Sequence, residues 1–98
     1  MKREKFDNVW FALEANEADA INMTMRSNLM SSIEKTVDSW KLSQGEAAKR
    51  LGITRPRLND LMRGKISKFS LDALATLATR AGLSVSMSVK KAPVRRVA

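Results

Sequence analysis

The stretch SQGEAAKRLGITRPRLNDLMRGK, Ser43 to Lys65, constrains the fold more than any other part of the chain. It holds two short helical patterns separated by a single glycine, a spacing that leaves room only for a sharp turn between two packed helices. Ser43 is a good N-cap, and Glu46 three residues later completes a capping box. The first helix buries Ala47, Ala48 and Leu51, and Ala48 lies where a second helix crosses closely. Gly52 follows at the turn, where a positive φ is often required. Ile53 plugs the angle, Thr54 caps the next helix, and Pro56 falls in its first turn, where a missing N–H is no loss.

The second helix is two-faced. Leu58, Leu61 and Met62 share one side, while Arg55, Pro56, Asn59, Asp60 and Arg63 share the other. The leucines anchor the helix, so the guanidinium and amide groups point outward. Arginine fits guanine O6/N7 and asparagine fits adenine N6/N7, each in a bidentate manner. The blander reading is an ordinary solvated helix face. The tight turn and the charge of the chain favour the nucleic-acid reading.

That charge is large. Eighteen Lys+Arg against ten Asp+Glu give a formal charge of +8 in 98 residues, with an isoelectric point near 10.5. Such an excess points to a polyanionic partner. It is uneven: the first forty residues carry five bases against seven acids, and the remaining 58 carry thirteen against three. The basic surface thus belongs to the part that contains the paired helices.

Cysteine, histidine and tyrosine are all absent. Disulfides, thiolate metal sites and the commonest general base go with them. Catalysis would rest on carboxylates, serine or lysine, and no cluster of these stands out, so neither an enzyme nor a cofactor or metal site is expected. No apolar run approaches a membrane span. No apolar region follows MKREKF, so a cytoplasmic location is expected.

Along the chain, Asp7 or Asn8 can cap a short helix through Glu14 that buries Val9, Trp10 and Leu13. Asn16 can cap a long second helix to about Ser39. Its Ile21, Met25, Leu29, Ile33, Val37 and Trp40 recur at helical spacing. At 1.5 Å per residue it is about 35 Å long, so its first half is expected to project from the core. Ser70 caps a helix with Leu71, Leu74, Ala75, Leu77, Ala78 and Ala81 on one face, and Gly82 ends it. The period then changes to two: Leu83, Val85, Met87 and Val89 alternate with Ser84, Ser86, Ser88 and Lys90. A lone strand needs a partner, and the simplest is the same strand from a second subunit. The alternative is a continued helix or an irregular end that packs Leu83 and Val85 on the core. The expected divisions are an extension over 1–26, a domain over 27–82, a dimerisation strand over 83–90 and a basic tail over 91–98.

The pattern Q-x-x-A-A-x-x-L-G-I-T-x-x-x-L-x-x-L-x-x-G-K resembles the helix-turn-helix of the XRE (Cro/phage-repressor-like) family. It is carried by Gln44, Ala47, Ala48, Leu51, Gly52, Ile53, Thr54, Leu58, Leu61, Gly64 and Lys65. The resemblance extends through SKFSLDALATLATRAGLSV. It implies a mainly α, five-helix, lambda-repressor-like domain whose second motif helix enters the major groove of double-stranded DNA, as a homodimer on a palindromic operator. Arg55, Pro56, Asn59 and Arg63 would then face bases. Gln44, Thr54, Arg57, Lys65, Ser67 and Lys68 would meet phosphates. Pro56 departs from the usual small polar residue, and Asp60 is acidic on the DNA side. It either accepts from a cytosine amine or holds Arg57 or Arg63 in place; the second is the better expectation.

Outside the motif, Asn8, Val9, Trp10, Ala12, Leu13, Arg63 to Ile66 and Phe69 to Leu74 resemble a subgroup encoded beside RelE-like ribonuclease toxins, the HigA-type antitoxins. That resemblance implies a toxin partner bound by the N-terminal region, with Val9, Trp10, Leu13, Ile21 and Met25 as candidate contacts. The competing readings are a stand-alone XRE-type repressor without a toxin partner, an interaction protein whose DNA binding is secondary or vestigial, and a non-specific nucleic-acid or RNA binder. The scarcity of aromatics tells against the RNA binder.

Overall fold

The computed structural model describes the backbone of residues 2–91 and the side chains of residues 17–91. Among the described residues there are four α-helices and one 3-10 turn, and no strand. α1 runs Lys2–Trp40, α2 Gln44–Leu51 and α3 Arg55–Met62. The 3-10 turn is Ile66–Lys68, and α4 is Leu71–Arg80. The count is four rather than five because the two N-terminal helices expected on either side of Asn16 are one. An Asn caps a helix only where the backbone before it leaves helical geometry. Nothing in LEANEADA forces that, and alanine, leucine and glutamate all favour continuing.

α1 ends at Lys41, which takes the left-handed conformation at φ 57°. Ser43 then caps α2: its Oγ accepts from the Glu46 N–H at 3.2 Å. The capping box is completed differently from expectation. The Glu46 carboxylate accepts from the Ser43 hydroxyl at 3.2 Å, so it answers the side chain rather than the backbone N–H. Thr54 and Ser70 cap α3 and α4 in the same way, accepting from Arg57 N–H at 3.3 Å and Ala73 N–H at 3.1 Å. Gly52 sits at φ 71°, and the Ile53 N–H beyond it closes on the Ala48 carbonyl at 2.9 Å.

The core gathers one face from every helix. Met30, Ile33 and Val37 come from α1, Ala47, Ala48 and Leu51 from α2, and Leu58 and Leu61 from α3. Phe69 follows the 3-10 turn, and Leu74, Leu77 and Ala78 come from α4, with Ala81 just beyond it. The lower part of the α1 stripe leaves this core. Met25 is half-buried, and Ile21 is 60% exposed. Arg26 marks the departure point, donating from Nη1 to the Ile66 carbonyl at 3.2 Å and so tying α1 to the 3-10 turn.

The strand expected over 83–90 is not formed. Leu83 packs against the core and its N–H donates to the Ala78 carbonyl at 2.9 Å, but the chain beyond it has no regular structure. Val85, Met87 and Val89 are 47%, 73% and 83% exposed. A strand is held by ladder hydrogen bonds to a neighbour, and one chain offers no neighbour here. The irregular alternative, with Leu83 on the core, describes the single chain better. The tail beyond Lys91 lies outside the described residues.

Candidate nucleic-acid interface

α3 is held from beneath. Leu58 and Leu61 are buried, so the helix cannot roll, and its opposite side is set outward by the same packing. Arg55, Asn59 and Arg63 follow at intervals of four and form one stripe. From Arg55 to Arg63 the stripe is about 12 Å long, a span that fits along a major groove about 12 Å wide. Arg55, Pro56 and Arg63 are exposed, and Asn59 is half-buried.

The residues expected at phosphates divide into two groups. Gln44 and Thr54 lie exposed at the starts of α2 and α3. Helix starts carry unpaired N–H groups, which favour an anion. Lys65, Ser67 and Lys68 are exposed on the segment after α3, where Lys65 Nζ and Lys68 Nζ lie 3.5 and 3.7 Å from the two carboxylate oxygens of Asp60. This corrects one expectation: Asp60 holds two lysines, not Arg57 or Arg63. The turn after α3 brings Lys65 and Lys68 back beneath Asp60, whereas Arg57 faces another way.

Arg57 also has partners within the fold. Its guanidinium lies 4.0 Å from the centroid of the Phe69 ring, and its Nη1 donates to the Lys68 carbonyl at 2.8 Å. It is half-buried and pins the segment after α3 against α3 itself. These two contacts have no local signal, because the fold of residues 64–69 is what puts Phe69 beneath Arg57.

Two further arginines went unremarked in the sequence. Arg80 of α4 reaches across to donate from Nη1 to the Leu51 carbonyl at 3.1 Å, satisfying the last turn of α2. It does so over Gly52, where an added Cβ would fall 2.9 Å from that nitrogen. Gly52 therefore serves both the turn and the passage of Arg80. Arg50 lies 4.1 Å from the centre of a Trp40 ring and covers the end of α1. Neither arginine has a local signal, because each partner comes from another element.

Glu34 of α1 faces the Gly64 turn, between Arg63 and Lys65. Burial, followed by the neighbouring Asp38 charge, raises its carboxyl pKa above the ordinary range. Among the described residues no group of His, Cys, Asp and Glu is arranged to hold a metal ion, and no helix is long and apolar enough to cross a membrane.

A helix-turn-helix domain family matches residues 12–90 of the chain. A solved structure of a protein named provisionally as an XRE family transcriptional regulator matches with a TM-score of 0.71 and 32% sequence identity. The match covers 82% of this chain and 90% of that one. No curated protein sequence matches.

Proposed function

This chain belongs to the helix-turn-helix domain family, and from that membership we propose that it is an XRE-type transcriptional regulator that binds a specific duplex DNA sequence through α3. The observation that carries the reading is the stripe of Arg55, Asn59 and Arg63, turned outward on a helix whose other face is locked by Leu58 and Leu61. The 32% identity to the XRE-family structure supports the same assignment. Arg55, Pro56, Asn59 and Arg63 face bases. Gln44, Thr54, Arg57, Lys65, Ser67 and Lys68 hold the backbone, and Arg57 also orders the segment that carries the last three.

The protein acts as a homodimer on a palindromic site, with half-sites one turn of DNA, about 34 Å, apart. The C-terminal segment is the proposed contact: Val85 and Met87 line a groove of about 530 Å³ together with Met25, Leu29, Leu71 and Ala75. Truncation after Ser84 removes Val85, Met87 and Val89 and should weaken dimerisation about tenfold or more, since burying one such side chain contributes about 1.5–3 kcal/mol. Sedimentation equilibrium decides it, and a truncated chain that dimerises as tightly as the full one ends the proposal.

Within this reading the protein is an antitoxin of HigA type that represses its own operon and neutralises a RelE-like ribonuclease. The support is the part of α1 that stands away from the core, with Ile21 and Met23 60% and 49% exposed. Val9, Trp10, Leu13, Ile21 and Met25 are the proposed toxin contacts. The division into an extension over 1–26 and a DNA-binding unit over 27–82 follows from it.

The direct test is a titration with duplex DNA from upstream of the chain's own gene, against a scrambled duplex. A hundredfold preference establishes the regulator; equal binding to both sinks it. The assignment of roles has its own test. Asn59→Ala should relax base preference by on the order of 1–3 kcal/mol, while Lys68→Ala should weaken native and scrambled duplexes alike. If the two variants lose specific and random DNA in equal proportion, that division is wrong.

A further inference from the structure

α2 is eight residues long, and its second position is a glycine. Glycine inside a helix is unfavourable relative to alanine. The backbone does not call for it here. Positive φ occurs at Gly52, Gly64 and Gly82, whereas Gly45 has ordinary helical geometry. The explanation lies across the turn. A Cβ on Gly45 would fall 2.5 Å from Arg55 Nη2 and 3.1 Å from both Cζ and Nε of the same side chain. The guanidinium of Arg55 therefore lies beside the first turn of α2, in the space that any other residue at position 45 would fill.

We infer that Gly45 is a positioning residue for specificity: it forms the seat that aims the Arg55 guanidinium at the DNA. This rests on the reading of α3 as the DNA-binding helix. Arg55 is exposed, and the ion pairs of Asp60 engage Lys65 and Lys68 instead. Without the seat, a long side chain at the first position of α3 would sample many rotamers. Held against Gly45, it keeps one direction, and its bidentate geometry can discriminate a guanine. The atoms displaced by a methyl group at position 45 belong to the flexible end of a side chain, so the fold would absorb the substitution while the guanidinium moved.

This makes the test sharp, because stability and binding should move in opposite senses. Gly45→Ala should raise the Tm by roughly 2–5 °C through helix propensity. The same substitution should weaken binding to the native duplex about tenfold and flatten preference at the base pair read by Arg55. In an Arg55→Ala background, Gly45→Ala should change neither affinity nor preference. Wild-type affinity and preference in the single variant would overturn the inference, as would an equal loss in both backgrounds. The free protein provides a readout that needs no DNA: the Arg55 Nε–H resonance should shift and average on Gly45→Ala. If wild type fails to tell native from scrambled duplex, the regulator reading falls. The resonance then still decides whether the seat exists, and an unchanged signal removes it.

Discussion

Phe69→Ala is expected to lower the Tm of this protein by about 20 °C. Phe69 is 1% exposed and stands among the largest fully buried side chains of the described residues. Truncating a buried phenylalanine costs about 3–5 kcal/mol, from lost apolar burial and from the cavity left behind. Here the ring also supports the Arg57 guanidinium, a contribution of about 0.5–1 kcal/mol for a partly exposed pair. Domains of this size hold only about 5–15 kcal/mol in total. Thermal unfolding followed by circular dichroism measures the loss, with Arg57→Ala as the companion that removes the cation alone. A drop under about 5 °C for Phe69→Ala would mean that the segment after α3 contributes little to the core. The same variant should also loosen Lys65 and Lys68, because Arg57 would lose the surface that lets it hold the Lys68 carbonyl.

The second large effect concerns salt. Arg55, Arg63, Lys65 and Lys68 are the exposed cations on α3 and the segment after it. If the four exposed cations of each subunit, in the groove or at the backbone, together displace about four counterions from the DNA, a dimer releases about eight and the log–log salt slope is near −7. Raising salt from about 50 to 200 mM would then weaken binding on the order of ten-thousandfold. Asp60 does not cancel this. Its two lysines remain 41% and 54% exposed, and surface ion pairs of that kind contribute little. A slope near half that value would indicate one subunit on the DNA, in conflict with the proposed dimer. A slope near zero would exclude the electrostatic footprint altogether. Filter binding or fluorescence anisotropy at four or five salt concentrations separates the three cases.

How far the chain could be read beforehand depended on the range of the interaction. Ser43, Thr54 and Ser70 were expected as caps and are caps, because a cap joins residues three apart. Gly52 and Gly82 were expected at helix ends, where both have positive φ. The outward face of α3 followed from a period of 3.6 and two leucines. The break expected at Asn16 does not occur, because a capping residue ends a helix only where the backbone before it leaves helical geometry, and α1 runs unbroken from Lys2 to Trp40. Asp60 was matched to arginines on its own helix, whereas its partners come from the turn beyond.

The sequence by itself determined the two tightly joined helices, their caps, the basic surface and the stripe of Arg55, Asn59 and Arg63. These rest on helical period, side-chain chemistry and contacts within one turn, all of which are written in neighbouring residues. Only the tertiary structure decided that Arg57 stacks on Phe69, that Arg80 closes α2 over Gly52, that Arg55 lies against Gly45, and that residues 83–90 form no strand in a single chain. The first three depend on how packed helices bring long side chains onto distant backbone. The last depends on hydrogen-bond partners that an edge must find outside itself, and no local pattern can supply them.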